Sequence, residues 1–170
     1  MALYFSTTTD IEYKIVITCD DALDMTEDEK SAYLKTGEGL KIKEGKTPTY
    51  FKIKPLSPKD REVAETKAGA YTRSELGRIL WTEEPSNYKE KAYWRENLSD
   101  IEKKALSSYE KYLTNVYEEM VKVGVKGIEG MEGDVWGIID SIRPDQDRVR
   151  TISELVLHLQ RLSLLSNEGK

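Results

Sequence analysis

A chain of 170 residues, 34% charged and 38% hydrophobic with 31 acids against 26 bases, is long enough for one core and too short for two comfortable ones. No apolar run approaches the roughly eighteen residues of a membrane span. The start Met1-Ala2-Leu3-Tyr4-Phe5 has neither a basic region nor a cleavage-like site, so neither membrane insertion nor secretion is expected.

Cys19 is the single cysteine, which excludes an intrachain disulfide, fits a reducing compartment and reads as a buried structural thiol. Charge is uneven: residues 1–38 hold nine acids against three lysines, a net of −6 within a whole-chain −5, so the remaining residues sum to +1. An acidic N-terminal part repels a phosphate backbone, and nucleic-acid binding would need a compensating basic stripe. The best stripe, Tyr88-Lys89-Glu90-Lys91-Ala92-Tyr93-Trp94-Arg95, is interrupted by Glu90 and followed by Glu96. A nucleic-acid partner is therefore not expected.

In chain order, Ile11, Tyr13, Ile15, Ile17 and Cys19 alternate with Glu12, Lys14, Val16 and Thr18, which predicts a strand over 11–19 with Cys19 on its apolar face. The acidic run from Asp20 to Glu29 lacks the alternating oxygens and central Gly of an EF-hand loop. It reads as a solvated turn leading to a helix, which Thr26 and Glu29 open as a capping box and Gly37 closes. Leu40-Lys41-Ile42-Lys43 predicts a second strand, Glu44-Gly45-Lys46 a hairpin turn, and Thr49 to Lys54 a third strand with Phe51 and Ile53 facing inward.

Pro55 ends that strand, and Ser57-Pro58-Lys59-Asp60 opens a helix with Pro58 at the first helical position. Thr72–Glu75, Ser99–Glu102 and Thr151–Glu154 repeat the spacing of a hydroxyl three residues before an acid, and each predicts a helix start. Thr82 to Asn87 reads as a break ahead of a helix that carries Tyr93 and Trp94. The longest helix should bury Ile101, Ala105, Tyr109, Tyr112, Leu113, Val116 and Met120 on one face. Glycines at 124, 127, 130 and 133 suggest a flexible connection over 120–137, with a short extended piece at Val121, Val123 and Val125 as the alternative. In the last helix Ile152, Leu155, Val156, Leu159 and Leu162 share a face while Leu157, Leu164 and Leu165 lie elsewhere, so it must be covered on two sides. Leu155, Leu157, Leu159, Leu162, Leu164 and Leu165 are accordingly the candidate interaction surface.

No catalytic, cofactor or metal residues emerge. His158 is the only histidine, so no two-histidine metal site exists, and neither it nor Cys19 stands in a nucleophile motif. It is expected on the helix surface or at an interface. The glycine run lacks the Gly-Lys-Ser/Thr ending of a P-loop and the Gly-x-Gly-x-x-Gly pattern, and Gly124-Val125-Lys126-Gly127 matches a KH loop only in its letters.

Three stretches resemble small tail-assembly and accessory proteins of tailed bacteriophages. Gly45-Lys46-Thr47-Pro48-Thr49-Tyr50-Phe51-Lys52-Ile53-Lys54-Pro55-Leu56-Ser57 is similar to a P-x-x-F-x-x-x-P-L-S/T opening pattern; the second stretch is the helix leading into Gly124-Val125-Lys126-Gly127-Ile128-Glu129-Gly130; the third runs from Ile152-Ser153-Glu154-Leu155 through Leu162-Ser163-Leu164-Leu165-Ser166-Asn167-Glu168. Together they span about a third of the chain. The resemblance implies a non-enzymatic morphogenesis protein of the tail-assembly-chaperone kind, acting in the host cytoplasm. It leaves open a head, neck or tail component that stays in the virion, with a small enzyme as a distant third. The partners implied are tail or head structural proteins, with a homo-oligomer also open. The acidic N-terminal region has no counterpart in the pattern.

The expected architecture is α+β: one domain over 1–170, with a small antiparallel sheet in residues 1–55 packed on a helical part, 56–170.

Overall fold

The computed structural model describes residues 11–69 and 88–168. The helix start expected at Thr72–Glu75 and the break expected at Thr82–Asn87 lie outside them. The elements run β1 (Tyr13–Ile15), α1 (Glu27–Thr36), β2 (Phe51–Ile53), α2 (Pro58–Ala68), α3 (Tyr88–Glu96), α4 (Asp100–Gly124), β3 (Val125–Ile128), α5 (Val135–Asp140) and α6 (Asp145–Glu168). The class is α+β, a three-stranded antiparallel sheet with several helices, as expected. Its contacts divide it into two compact units, Met1–Ala64 with Tyr117–Lys170, and Glu65–Val116.

In the first unit β2 is the central strand. It pairs Phe51 with Ile15 and Ile53 with Tyr13 on one side, and Phe51 with Ile128 and Ile53 with Val125 on the other. The inward face of Phe51, Ile53 and Ile15 is buried, as the period-two pattern requires. Val125 and Ile128 are both buried although three residues apart, and a register shift opposite Lys52 and Ile53 makes this possible. An irregularity of that kind re-aims one strand so that both side chains reach the same layer.

The strand order corrects the sequence reading. Leu40–Lys43 forms no ladder with β2; it meets residues 22–24 through a single bridge, Leu23 to Ile42, flanked by Asp24 N–H to Lys41 O at 3.0 Å and Lys43 N–H to Ala22 O at 2.8 Å. Gly45 does turn the chain, with φ of 73°. Pro48, which has no N–H to donate, then separates this turn from β2. The third strand comes instead from 125–128, inside the stretch expected to be a flexible connection, so the sheet is not confined to residues 1–55. The spacing of Val116, Met120, Val121 and Gly124, all buried, is helical and carries α4 to the edge of β3.

β1 is also shorter than expected. Val16 and Ile17 are both buried, so alternation stops after Ile15, and Cys19 is a half-buried turn residue rather than a strand residue.

Three of the expected capping boxes form. Thr26 and Glu29 exchange hydrogen bonds at the start of α1, and Gly37 closes it in the left-handed conformation, φ 76°. Asp60 N–H donates to Ser57 Oγ at 3.1 Å while Ser57 N–H donates to Asp60 Oδ2 at 2.9 Å, and Ser99 with Glu102 repeats the exchange at 3.4 and 2.9 Å. Thr151–Glu154 is the exception: it lies inside α6, which begins at Asp145.

α6 is the main cover of the first unit, touching both α1 and α5. Its buried face is Ile152, Leu155, Val156, Leu159 and Leu162, and Ser163 Oγ accepts the Leu56 N–H at 3.0 Å beside β2. Gly124 lets α4 approach it, since a Cβ there would run into the Leu159 side chain.

In the second unit α4 buries Ala105 and Val116, with Tyr109, Tyr112 and Leu113 half-buried. Ile101, expected on the same face, is 66% exposed: it lies in the first turn, ahead of the buried stretch. Arg95 of α3 pairs with Glu110 of α4 at 2.5 Å, and Asn115 donates to the Ala68 carbonyl at 3.3 Å.

Candidate functional site

α6 carries the expected interaction surface, and the structure splits it. Leu155 and Leu159 are fully enclosed and Leu162 is buried, so these three hold the fold together and are not a surface. Leu157 and Leu164 point outward, 47% and 60% exposed, seven residues and hence two turns apart on the opposite side of the helix. Leu165 lies beyond the residues whose side chains are described.

His158 also departs from expectation. It is fully buried, not at the helix surface, because it follows Thr151 and Leu155 and precedes Leu162 at alternating spacings of four and three on the face that forms the core. Neither ring nitrogen has a hydrogen-bond partner among the described residues, and burial pushes its pKa down to about 4, with the Arg161 guanidinium adding to the effect. A group that stays neutral without a donor or acceptor beside it is not poised for proton transfer.

The polar centre of the first unit is one that the sequence reading missed. Glu154, buried on α6, accepts the Thr18 N–H and the Thr18 hydroxyl, each at 2.6 Å, and the Arg150 Nε–H at 3.1 Å. Arg150 Nη2 donates in turn to Thr18 Oγ1 at 3.2 Å, which closes a ring of hydrogen bonds. The signal was present as an acid inside an apolar stripe, four residues after an arginine; the capping-box spacing with Thr151 concealed it. Cys19 adjoins this ring. Burial, then the Glu154 carboxylate, push its thiol pKa up, which leaves it a poor nucleophile.

In the acidic run at 20–29, Asp21, Asp24, Glu27 and Asp28 are exposed and Glu29 is half-buried, which fits the solvated turn and helix start expected there. Asp20 is half-buried and accepts the N–H groups of Ala22 and Thr49, both at 2.8 Å, fixing the loop before β2. Among the described residues no group of three or more His, Cys, Asp or Glu side chains is placed to hold a metal ion. No described helix is long and apolar enough to cross a membrane.

Two hollows remain. One of about 450 Å³ lies in the first unit between the end of α4 and α5. Its polar groups are already engaged: Asp134 caps α5 by accepting from the Trp136 and Gly137 N–H groups at 3.2 and 3.0 Å, while Lys122 pairs with Glu119 at 2.6 Å and lies 4.7 Å from the Trp136 ring centre. The other, of about 540 Å³, lies in the second unit along α3, lined by Lys89, Glu90, Tyr93, Trp94 and Asn97, with Tyr93 70% exposed. The Arg95 pairing with Glu110 takes one cation out of the basic stripe at 88–95. What these surfaces offer a ligand is aromatic and aliphatic area with few convergent polar groups.

Comparison with protein-family models, with curated proteins and with solved structures found no match.

Proposed function

We propose that this protein is a non-enzymatic bacteriophage morphogenesis protein of the tail-assembly-chaperone kind, which binds an aggregation-prone tail or head subunit in the host cytoplasm until that subunit polymerises. The observation that carries the reading is the pair Leu157 and Leu164, large apolar side chains in solvent on the helix whose other face holds the core. Tyr93 in the second unit is a further exposed apolar group. Exposed apolar side chains grouped on one helix face, as the two leucines are on α6, are used for protein contact. The three stretches that resemble tail-assembly and accessory proteins supply the partner class; the first contains β2 and the third lies within α6.

The test is co-expression with each tail and head subunit of a phage that encodes the chain, measuring the soluble fraction of the subunit, together with mass spectrometry of purified particles. A chaperone raises the soluble fraction of one subunit and is absent from the particle; presence in the particle would instead identify a virion component. No effect on any subunit and no presence in particles would overturn the morphogenesis reading.

A further inference from the structure

His158 is enclosed completely on α6, and neither Nδ1 nor Nε2 finds a partner among the described residues. A buried neutral imidazole ordinarily places its donor and its acceptor in hydrogen bonds. Here the ring has packing instead, 5.3 Å from the Tyr33 ring of α1 and tilted by 57°.

Tyr33 joins three segments. Its hydroxyl accepts the Val16 N–H at 3.0 Å just past β1, and its carbonyl accepts both the Gly37 N–H that closes α1 and Arg161 Nη1 from α6, at 2.7 and 3.3 Å. Among the described residues, the titratable and charged groups around the imidazole are Tyr33 from α1, and Glu154 and Arg161 from its own helix. Arg161, three residues on, is a half-buried cation whose Nε is without a partner. Glu154, one turn earlier, already has its oxygens occupied by Thr18 and Arg150. A proton arriving on the ring would add a second cation in an enclosed space with no acceptor ready for it.

We infer that the α1–α6 seam around His158 is an acid-sensitive latch, closed while the imidazole is neutral and opened when the ring takes up a proton, releasing Tyr33 and with it the end of β1. The inference does not depend on the identity of the partner. Its direction follows from linkage: burial holds the ring at about 4 in the closed seam against 6.5 when open. The closed form is thus fully favoured above 6.5 and loses ground as pH falls from there towards 4.

Because His158 is the only histidine, its ring proton gives an isolated NMR signal that can be followed in the full chain. Hydrogen exchange at α1 and α6, corrected for intrinsic rates, reports the seam itself. Between pH 7 and pH 5 the protection factor of those helices should fall by roughly 20-fold from this group alone. His158→Leu, or His158→Gln should the first not fold, should remove that part of the fall. A ring signal that titrates near 6.5 with protection unchanged would overturn the latch, and so would a folded variant with the parent's pH profile.

Discussion

Glu154 takes both the N–H and the hydroxyl of Thr18, at 2.6 Å each, and so fastens the segment after the first strand to the last helix across 136 residues of chain. Arg150 completes the ring but stands half in solvent, its side chain 48% exposed against 7% for Glu154. The two ends of this ion pair should therefore differ in worth.

Glu154→Ala leaves two Thr18 donors buried without an acceptor, and at about 1–3 kcal/mol for each orphaned group the loss should reach about 2–6 kcal/mol. Arg150→Ala keeps both Thr18 bonds but takes a charged hydrogen-bond partner from the buried carboxylate, and should cost less, about 1–2 kcal/mol. Urea unfolding of both variants checks the order. Equal losses would mean that the ion pair, and not the Thr18 hydrogen bonds, holds this joint.

Phe51→Ala in the central strand should cost about 3–5 kcal/mol, the scale of emptying a buried aromatic site. Ile101→Ala, at an exposed position that helical spacing alone would have placed in the core, should stay within about 0.5 kcal/mol. A reversed order in denaturant melts would put the core of the molecule elsewhere.

These two residues also mark what the sequence made legible. Phe51 and Ile53 alternate with lysines in a segment bounded by prolines, and local chemistry alone places such a strand and its inward face. The capping boxes at Thr26, Ser57 and Ser99 are legible for the same reason, since a cap is made within four residues. β3 was not, because Val125–Ile128 becomes a strand only through pairing with β2, some seventy residues earlier. Leu40–Lys43 failed in the opposite sense: its composition suits a strand, yet the register it needed is taken by 125–128. Glu154 and His158 were misplaced because a polar residue in an apolar stripe can be read as a cap or a surface position until its distant partner is known, Thr18 for one and Tyr33 for the other.

Gly124→Ala should destabilise by about 1–3 kcal/mol, although alanine is the better helix former. The added methyl would meet Leu159, which is fully enclosed and has no room to turn away. Leu159→Ala alone should cost about 2–5 kcal/mol, and in the double variant the two losses should fall short of their sum because the methyl enters the space vacated. Strict additivity in a double-mutant cycle would show that the helices do not touch there.

Asp60 is held below its usual 3.8 mainly by the Ser57 hydrogen bond, so its stabilising effect is present above that value and is lost as pH falls through the lower pKa of the folded chain. Ser57→Ala should cost about 1 kcal/mol at neutral pH, and the difference between parent and variant should shrink below pH 3.8. NMR titration of the Asp60 carboxyl should show its pKa rising towards the ordinary value in the variant. A pKa unmoved by the substitution would assign the depression to the backbone N–H of residue 57, which the variant keeps, and to the nearby cations Lys126 and Lys54.

The sharpest separation between folding and binding lies on α6. Leu155 and Leu157 are two residues apart and chemically identical, but one is enclosed and the other 47% exposed. Leu155→Ala should cost about 2–5 kcal/mol in a melt, whereas Leu157→Lys with Leu164→Lys should leave stability within about 1 kcal/mol, since neither side chain fills the core. If these two leucines form the contact with a phage subunit, the double lysine variant should fold as the parent does and fail to keep that subunit soluble on co-expression. A double variant that folds and protects the subunit fully would remove this face of α6 from the binding surface and direct attention to Tyr93 and the hollow along α3.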